Sequence, residues 1–140
     1  MDTELIKSAN AVGLFCRLYI NMKRDLPIRP SEMGVLIFAY NQTTSITPRM
    51  ISEFLKIAKP SVTTLVNSLI KQNYLIKNPS STDGRSYTIS VTESGKELVT
   101  TTLEVYCRSL ERLKQEMGAS EFTQMITLIQ KANGILIEER

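Results

Sequence analysis

Apolar residues stand at positions 5, 9, 12, 16, 19 and 20, a single stripe at helical spacing that predicts a helix over about 3–24. Pro27 and Pro30 end it, and Ser31 is placed to cap a short apolar helix, SEMGVLIFAY. A polar stretch, NQTTSI, follows. Thr47 then suits an N-cap and Pro48 the first helical position of a helix over about 48–55. In KPSVTTLVNSLIKQN, Val62, Leu65, Val66 and Leu69 fall on one inward face, and Asn73 stands where a helix stop needs a left-handed residue. The period then changes to two. YLIKN and SYTISV read as strands, with Tyr87, Ile89 and Val91 alternating with small polar residues around the DGR turn. Thr92 can cap a long helix, about 93–116, with a stripe at 99, 103, 106, 110, 113 and 117. Gly118 breaks it before a last helix over about 120–138.

A short helix, a tight turn, a second helix and then a two-stranded hairpin make a winged helix-turn-helix. The fold class expected is mainly α with a small β-hairpin wing, NPSSTDGRS at 78–86 forming the wing. The chain reads as a single 1–140 domain. Residues 31–92 form a winged-helix lobe, and 1–24 with 93–140 form a helical region whose apolar stripes suit pairing between two chains.

Composition narrows the chemistry. The 140 residues contain no histidine, which removes the commonest general base and transition-metal ligand. No glycine-rich phosphate loop is present, so an enzyme, a cofactor and a metal site are not expected. No apolar run reaches the ~20 residues of a membrane span, and the start, MDTELIKSAN, has no signal pattern, so a cytoplasmic protein is expected. Net charge is only +3, but residues 47–91 hold six bases against two acids. That local excess suits an anionic partner.

The polar face of the 59–71 helix carries Ser61, Thr63, Thr64, Asn67, Ser68 and Lys71. Serine, threonine and asparagine are weak helix formers, so a plain solvated face would carry Glu, Lys and Arg instead. Small hydrogen-bonding side chains are what a helix needs to approach base edges in a major groove. Asn67 suits adenine, and the Thr63 and Thr64 methyls suit thymine methyls. Lys59, Ser61, Lys71 and the Thr47–Arg49 helix start suit the phosphate backbone, and Pro60 joins them as a DNA-binding candidate. At the wing, Arg85 suits a narrow minor groove, Asp83 suits orienting it, and Ser86 completes the candidate set.

With these residues in view, the stretch SVTTLVNSLIKQNYLIK, the acid-x-Arg wing motif at Asp83-Gly84-Arg85, and VTESGKEL opening the next helix together resemble the MarR family of bacterial winged-helix regulators. The resemblance implies a homodimer built from the terminal helices, a palindromic double-stranded DNA operator, and repression relieved by a small aromatic or anionic ligand. Members often carry an arginine near Thr64. Neutral residues here point to an A/T-rich operator. Tyr19, Phe38 and Tyr40 are candidate effector-pocket residues. Some members sense oxidants through a first-helix cysteine, which makes Cys16 a redox candidate. Its place on the apolar stripe reads instead as a small buried hydrophobe, and Cys107 reads as packing. A winged-helix module that binds protein and not DNA is the alternative the sequence leaves open.

Overall fold

The structure, a computed structural model, describes residues 2–22, 25–80 and 86–138. The described elements run α1 (Thr3–Asn21), α2 (Pro30–Tyr40), α3 (Pro48–Leu55), α4 (Lys59–Lys71), β1 (Leu75–Pro79), β2 (Tyr87–Val91), α5 (Glu93–Met117) and α6 (Ala119–Glu138). They pack as two compact units, residues 28–104 and residues 1–27 with 105–140. The first twelve residues of α5 thus belong with the winged-helix lobe rather than with the terminal helices.

The lobe holds the core. Met33, Val35, Leu36, Ile51, Val62, Val66, Leu69, Leu75, Ile89 and Val99 are all at most 2% exposed. Each such side chain stabilises the lobe by about 1.5–3 kcal/mol relative to an exposed position. α2 begins one residue before the expected SEMGVLIFAY helix. Pro30 takes the first turn, where its missing N–H costs nothing, and Ser31 lies inside the helix. The cap comes from Glu32, whose Oε1 accepts from the Arg29 N–H at 3.0 Å.

The stop of α4 is as the sequence suggests. Asn73 sits at φ 67°, the Tyr74 N–H donates to the Leu69 carbonyl and the Asn73 N–H to the Ile70 carbonyl, both at 2.9 Å. These two bonds form a Schellman motif, which satisfies the last carbonyls and turns the chain into the hairpin.

β1 and β2 pair antiparallel, with Leu75 opposite Val91 and Pro79 opposite Tyr87. The polar stretch before α3 adds something the alternation did not reveal. Ile46 is buried and exchanges both backbone bonds with Ile89, at 3.0 and 2.7 Å. One isolated apolar residue among polar neighbours gives no strand period, so only the pairing exposes this third short rung.

Thr92 caps α5 by accepting from the Gly95 N–H at 3.0 Å, and its hydroxyl donates to the Asn73 carbonyl at 2.7 Å. The Thr92 N–H donates to the Tyr74 carbonyl at 3.1 Å. The end of α4, the hairpin and the start of α5 therefore meet in one knot. Gly95 lies in it, and a Cβ there would stand 2.3 Å from the Tyr74 carbonyl oxygen.

The other unit has a different character. α1 has no buried residue among those described. Leu5, Val12, Leu18 and Ile20 on α1 and Leu128, Ile135 and Leu136 on α6 are all more than half exposed.

Candidate nucleic-acid interface

α3 and α4 are joined by the three residues Lys56, Ile57 and Ala58. Lys56 takes a left-handed conformation at φ 56°, and the Ser52 hydroxyl donates to the Ile57 carbonyl across the turn at 2.7 Å. The turn is tight because a side chain supplies the bond that the ending helix cannot. Its rigidity fixes the direction in which α4 leaves.

α4 divides cleanly. Val62, Val66 and Leu69 are buried, while Pro60, Thr63, Thr64, Asn67 and Lys71 form an exposed stripe at spacings of three and four. Lys59 and Ser61 are exposed in its first turn. The threonine hydroxyls are turned back onto the helix: Thr63 donates to the Lys59 carbonyl at 3.1 Å and Thr64 to the Pro60 carbonyl at 3.0 Å. Among the described residues the Asn67 amide has no partner in the chain.

Ser68 departs from the expected outward face. It is half-buried, and its hydroxyl donates to the Glu32 carboxylate on α2. Gln72 donates to the same carboxylate oxygen at 3.2 Å. Glu32 is only 5% exposed, and three donors, Arg29 N–H, Ser68 and Gln72, satisfy its two oxygens. A buried carboxylate so bonded fixes the rotation of α4 against α2. Sequence reasoning missed this clamp. Its signal was a glutamate within an otherwise apolar helix, SEMGVLIFAY.

Thr47 caps α3 by accepting from the Met50 N–H at 3.2 Å. Arg49 next to it pairs with Glu53 at 3.0 Å, with side chains 81% and 63% exposed. Such a pair adds little stability and leaves the guanidinium at the surface. Asp83 and Arg85 lie outside the described residues. Ser86 is exposed just before β2, its carbonyl accepting from the Ser80 N–H at 3.1 Å. On the hairpin, Lys77 holds its ammonium 4.0 Å from the centre of the Tyr87 ring. It is an exposed base at the root of the wing that the sequence reading did not include among the site residues.

Residues 26–86 match the model of the MarR family. The fold is that of the MarR winged helices. Members of the MarR family are transcriptional regulators, not enzymes. No curated protein matches the chain in sequence. Among solved structures, a MarR/EmrR family regulator from Acinetobacter sp. ADP1 is 21% identical, with 99% of each chain covered and a TM-score of 0.78. MepR of S. aureus in complex with DNA is 21% identical over 88% of this chain and 96% of that one, TM-score 0.78. BpsR of Bordetella bronchiseptica, solved in work on regulation of its DNA binding by 6-hydroxynicotinic acid, is 12% identical over 91% and 98%, TM-score 0.77. At these identities the likeness speaks for the fold, and MarR winged helices are what it matches.

The three effector candidates separate. Tyr19 stacks on Phe15 at 5.9 Å and lines a cavity of about 280 Å³ with Leu18, Met22, Leu113 and Arg112. Phe38 instead stacks on Phe54 at 4.3 Å. Tyr40 borders a different, polar recess with Gln42, Ser45 and Lys96. Cys16 is exposed, contrary to its reading as a small buried hydrophobe, because its neighbours Val12 and Ile20 on the same stripe of α1 are uncovered as well. Cys107 is half-buried. Among the described residues no helix is long and apolar enough to cross a membrane.

Proposed function

We propose that the chain is a DNA-binding repressor that acts as a homodimer on a palindromic, A/T-rich operator and is released by a small aromatic or anionic ligand. The observation that carries the reading is the exposed stripe of α4. Thr63, Thr64 and Asn67 are small, uncharged and outward, and Lys59, Lys71 and Arg49 are exposed basic side chains on the same helix-turn-helix. Uncharged groups at the centre suit base edges, and bases around them suit phosphates. Arg85 and Asp83 at the wing complete the surface in this reading.

The dimer is supported by the terminal helices. α1 and α6 leave large apolar side chains such as Leu5, Val12, Leu128 and Leu136 more than half exposed, and a two-fold partner would cover them. A two-fold would also repeat α4 one helical turn further along DNA. The ligand is supported by the cavity at Phe15, Tyr19 and Leu113, where aromatic walls lie beside Arg112, itself 3.3 Å from Glu116. The relative regulated by 6-hydroxynicotinic acid supports the same class of ligand.

Selection from random duplex DNA at two salt concentrations tests the reading. A palindromic consensus whose binding weakens steeply with salt is expected, because phosphate contacts release counterions. No enrichment at either salt would refute it and favour a winged helix that binds protein. The exposure of Cys16 supports a second reading, an oxidant-released repressor. In that case Cys16→Ser binds DNA yet no longer responds to peroxide; a wild-type chain that ignores peroxide excludes it.

A further inference from the structure

We infer that Thr63 and Thr64 read the 5-methyl group of pyrimidines in the major groove and, by the geometry of their hydroxyls, reject guanine. The inference rests on the reading above that α4 enters a major groove.

A threonine hydroxyl has one proton to give and two lone pairs to offer. In both residues that proton is already given, to Lys59 O at 3.1 Å and to Pro60 O at 3.0 Å. Each exposed threonine therefore presents outward only a methyl group and an acceptor oxygen. The groove edges can be sorted against that pair of groups. Guanine offers two acceptors, N7 and O6, and an acceptor facing an acceptor is repelled. Adenine offers an N6 amino donor, and its partner thymine adds the C5-methyl. An A·T pair thus supplies both complements, a methyl and a donor. Unmodified cytosine supplies the N4 donor alone.

Guanine readout would first require each hydroxyl to leave its carbonyl. That exchanges one hydrogen bond for another and gains little, since a neutral bond contributes a net of about 1 kcal/mol. The back-bond so acts as a filter. Thr63 and Thr64 are one residue apart on the exposed stripe, so both can meet neighbouring base pairs. Asn67, one turn on and keeping its amide free of partners among the described residues, can add adenine N6 and N7.

The filter reads a methyl group and not a base identity. The same two groups, an amino donor and a C5-methyl, recur on 5-methylcytosine. At the positions facing Thr63 and Thr64 the chain should therefore prefer 5-methylcytosine over cytosine.

The test uses the full-length chain and the duplex recovered by selection. Each thymine is replaced singly by deoxyuridine, which removes the methyl and leaves every hydrogen-bonding group in place. Binding should weaken about threefold to fivefold at one or two positions in each half-site, the worth of one buried methyl. At those positions 5-methylcytosine should bind more tightly than cytosine by a similar factor. Thr63→Ser and Thr64→Ser retain the hydroxyl and remove the methyl. Their far-ultraviolet circular dichroism should match wild type, and the deoxyuridine penalty should shrink at the position each one faces.

If the chain binds its duplex but no deoxyuridine replacement changes affinity, the inference fails and the parent reading stands. If the penalty is undiminished in both serine variants, another residue reads the methyl and the inference likewise fails. Guanine accepted in place of thymine at the penalised positions without loss of affinity would also overturn it. A chain that binds no duplex overturns the parent reading and this inference with it.

Discussion

Replacing Gly95 by alanine adds one methyl group at a crowded point of the lobe. The added carbon would lie 2.3 Å from the Tyr74 carbonyl oxygen and 2.7 Å from Val91 Cγ1. The nearer neighbour cannot yield easily. The Tyr74 carbonyl belongs to backbone and accepts from the Thr92 N–H, and Tyr74 also closes the stop of α4. Overpacking of this kind costs about 1–3 kcal/mol, and a clash against backbone belongs at the top of that range. Alanine recovers up to about 1 kcal/mol of helix propensity over glycine. The net loss is then about 2 kcal/mol, and for a chain of this size the melting temperature should fall by about 6–10 °C. The comparison that isolates the clash is Gly134→Ala in α6, where nothing lies within 4 Å of the added carbon. Within one protomer only the propensity acts there, so stability should rise by about 0.5–1 kcal/mol. Thermal and urea unfolding of the three proteins at one protomer concentration measures both signs. A Gly95→Ala protein as stable as wild type would refute the packing of α5 against the end of α4.

Glu32→Ala and Ser68→Ala should each destabilise, and the double variant should lose at least about 1 kcal/mol less than their sum, because both remove one charge-assisted bond; additive losses in a urea double-mutant cycle would deny the clamp. Thr92→Val keeps the shape and removes the cap and the bond to Asn73 O, so urea unfolding should show a loss of about 1–2 kcal/mol. Arg49→Ala should change stability by under about 0.5 kcal/mol in the same assay, since its pair with Glu53 is exposed. In titrations of operator DNA it should weaken binding for all sequences alike and lower the salt slope by about one.

Most of the lobe was legible because its signals are local. Thr47-Pro48 marks one helix start, Val62, Val66 and Leu69 mark an inward face, and Asn73 marks a stop; the structure places each accordingly. Contacts between elements were not legible. Ile46 joins Ile89 across 43 residues of chain, and nothing in NQTTSI signals a strand. Ser68 looked like its neighbours Thr64 and Asn67, yet a rotation of one residue around the helix carries it from the open stripe to Glu32. Periodicity locates a face to within one position at its edges, and a residue at the edge is assigned only by what stands opposite. The wing tip, with Asp83 and Arg85, lies outside the described residues.

The weak helix formers on α4 are the point where local preference and tertiary structure diverge. Thr63 and Thr64 each disfavour a helix, and their back-bonds to the carbonyls four residues earlier add a tendency to bend it. The helix forms because its other side is secured three times over. Val62, Val66 and Leu69 are fully buried, Glu32 holds Ser68 and Gln72, and the Asn73 stop satisfies the final carbonyls. Stability supplied from the inner face leaves the outer face without a structural task. A chain selected only for stability would put Glu, Lys or Ala there. Local rules break in ordered structures mainly at positions held for another purpose. The exposed stripe of α4 is such a place: outward, neutral, small, and costly to the helix that carries it.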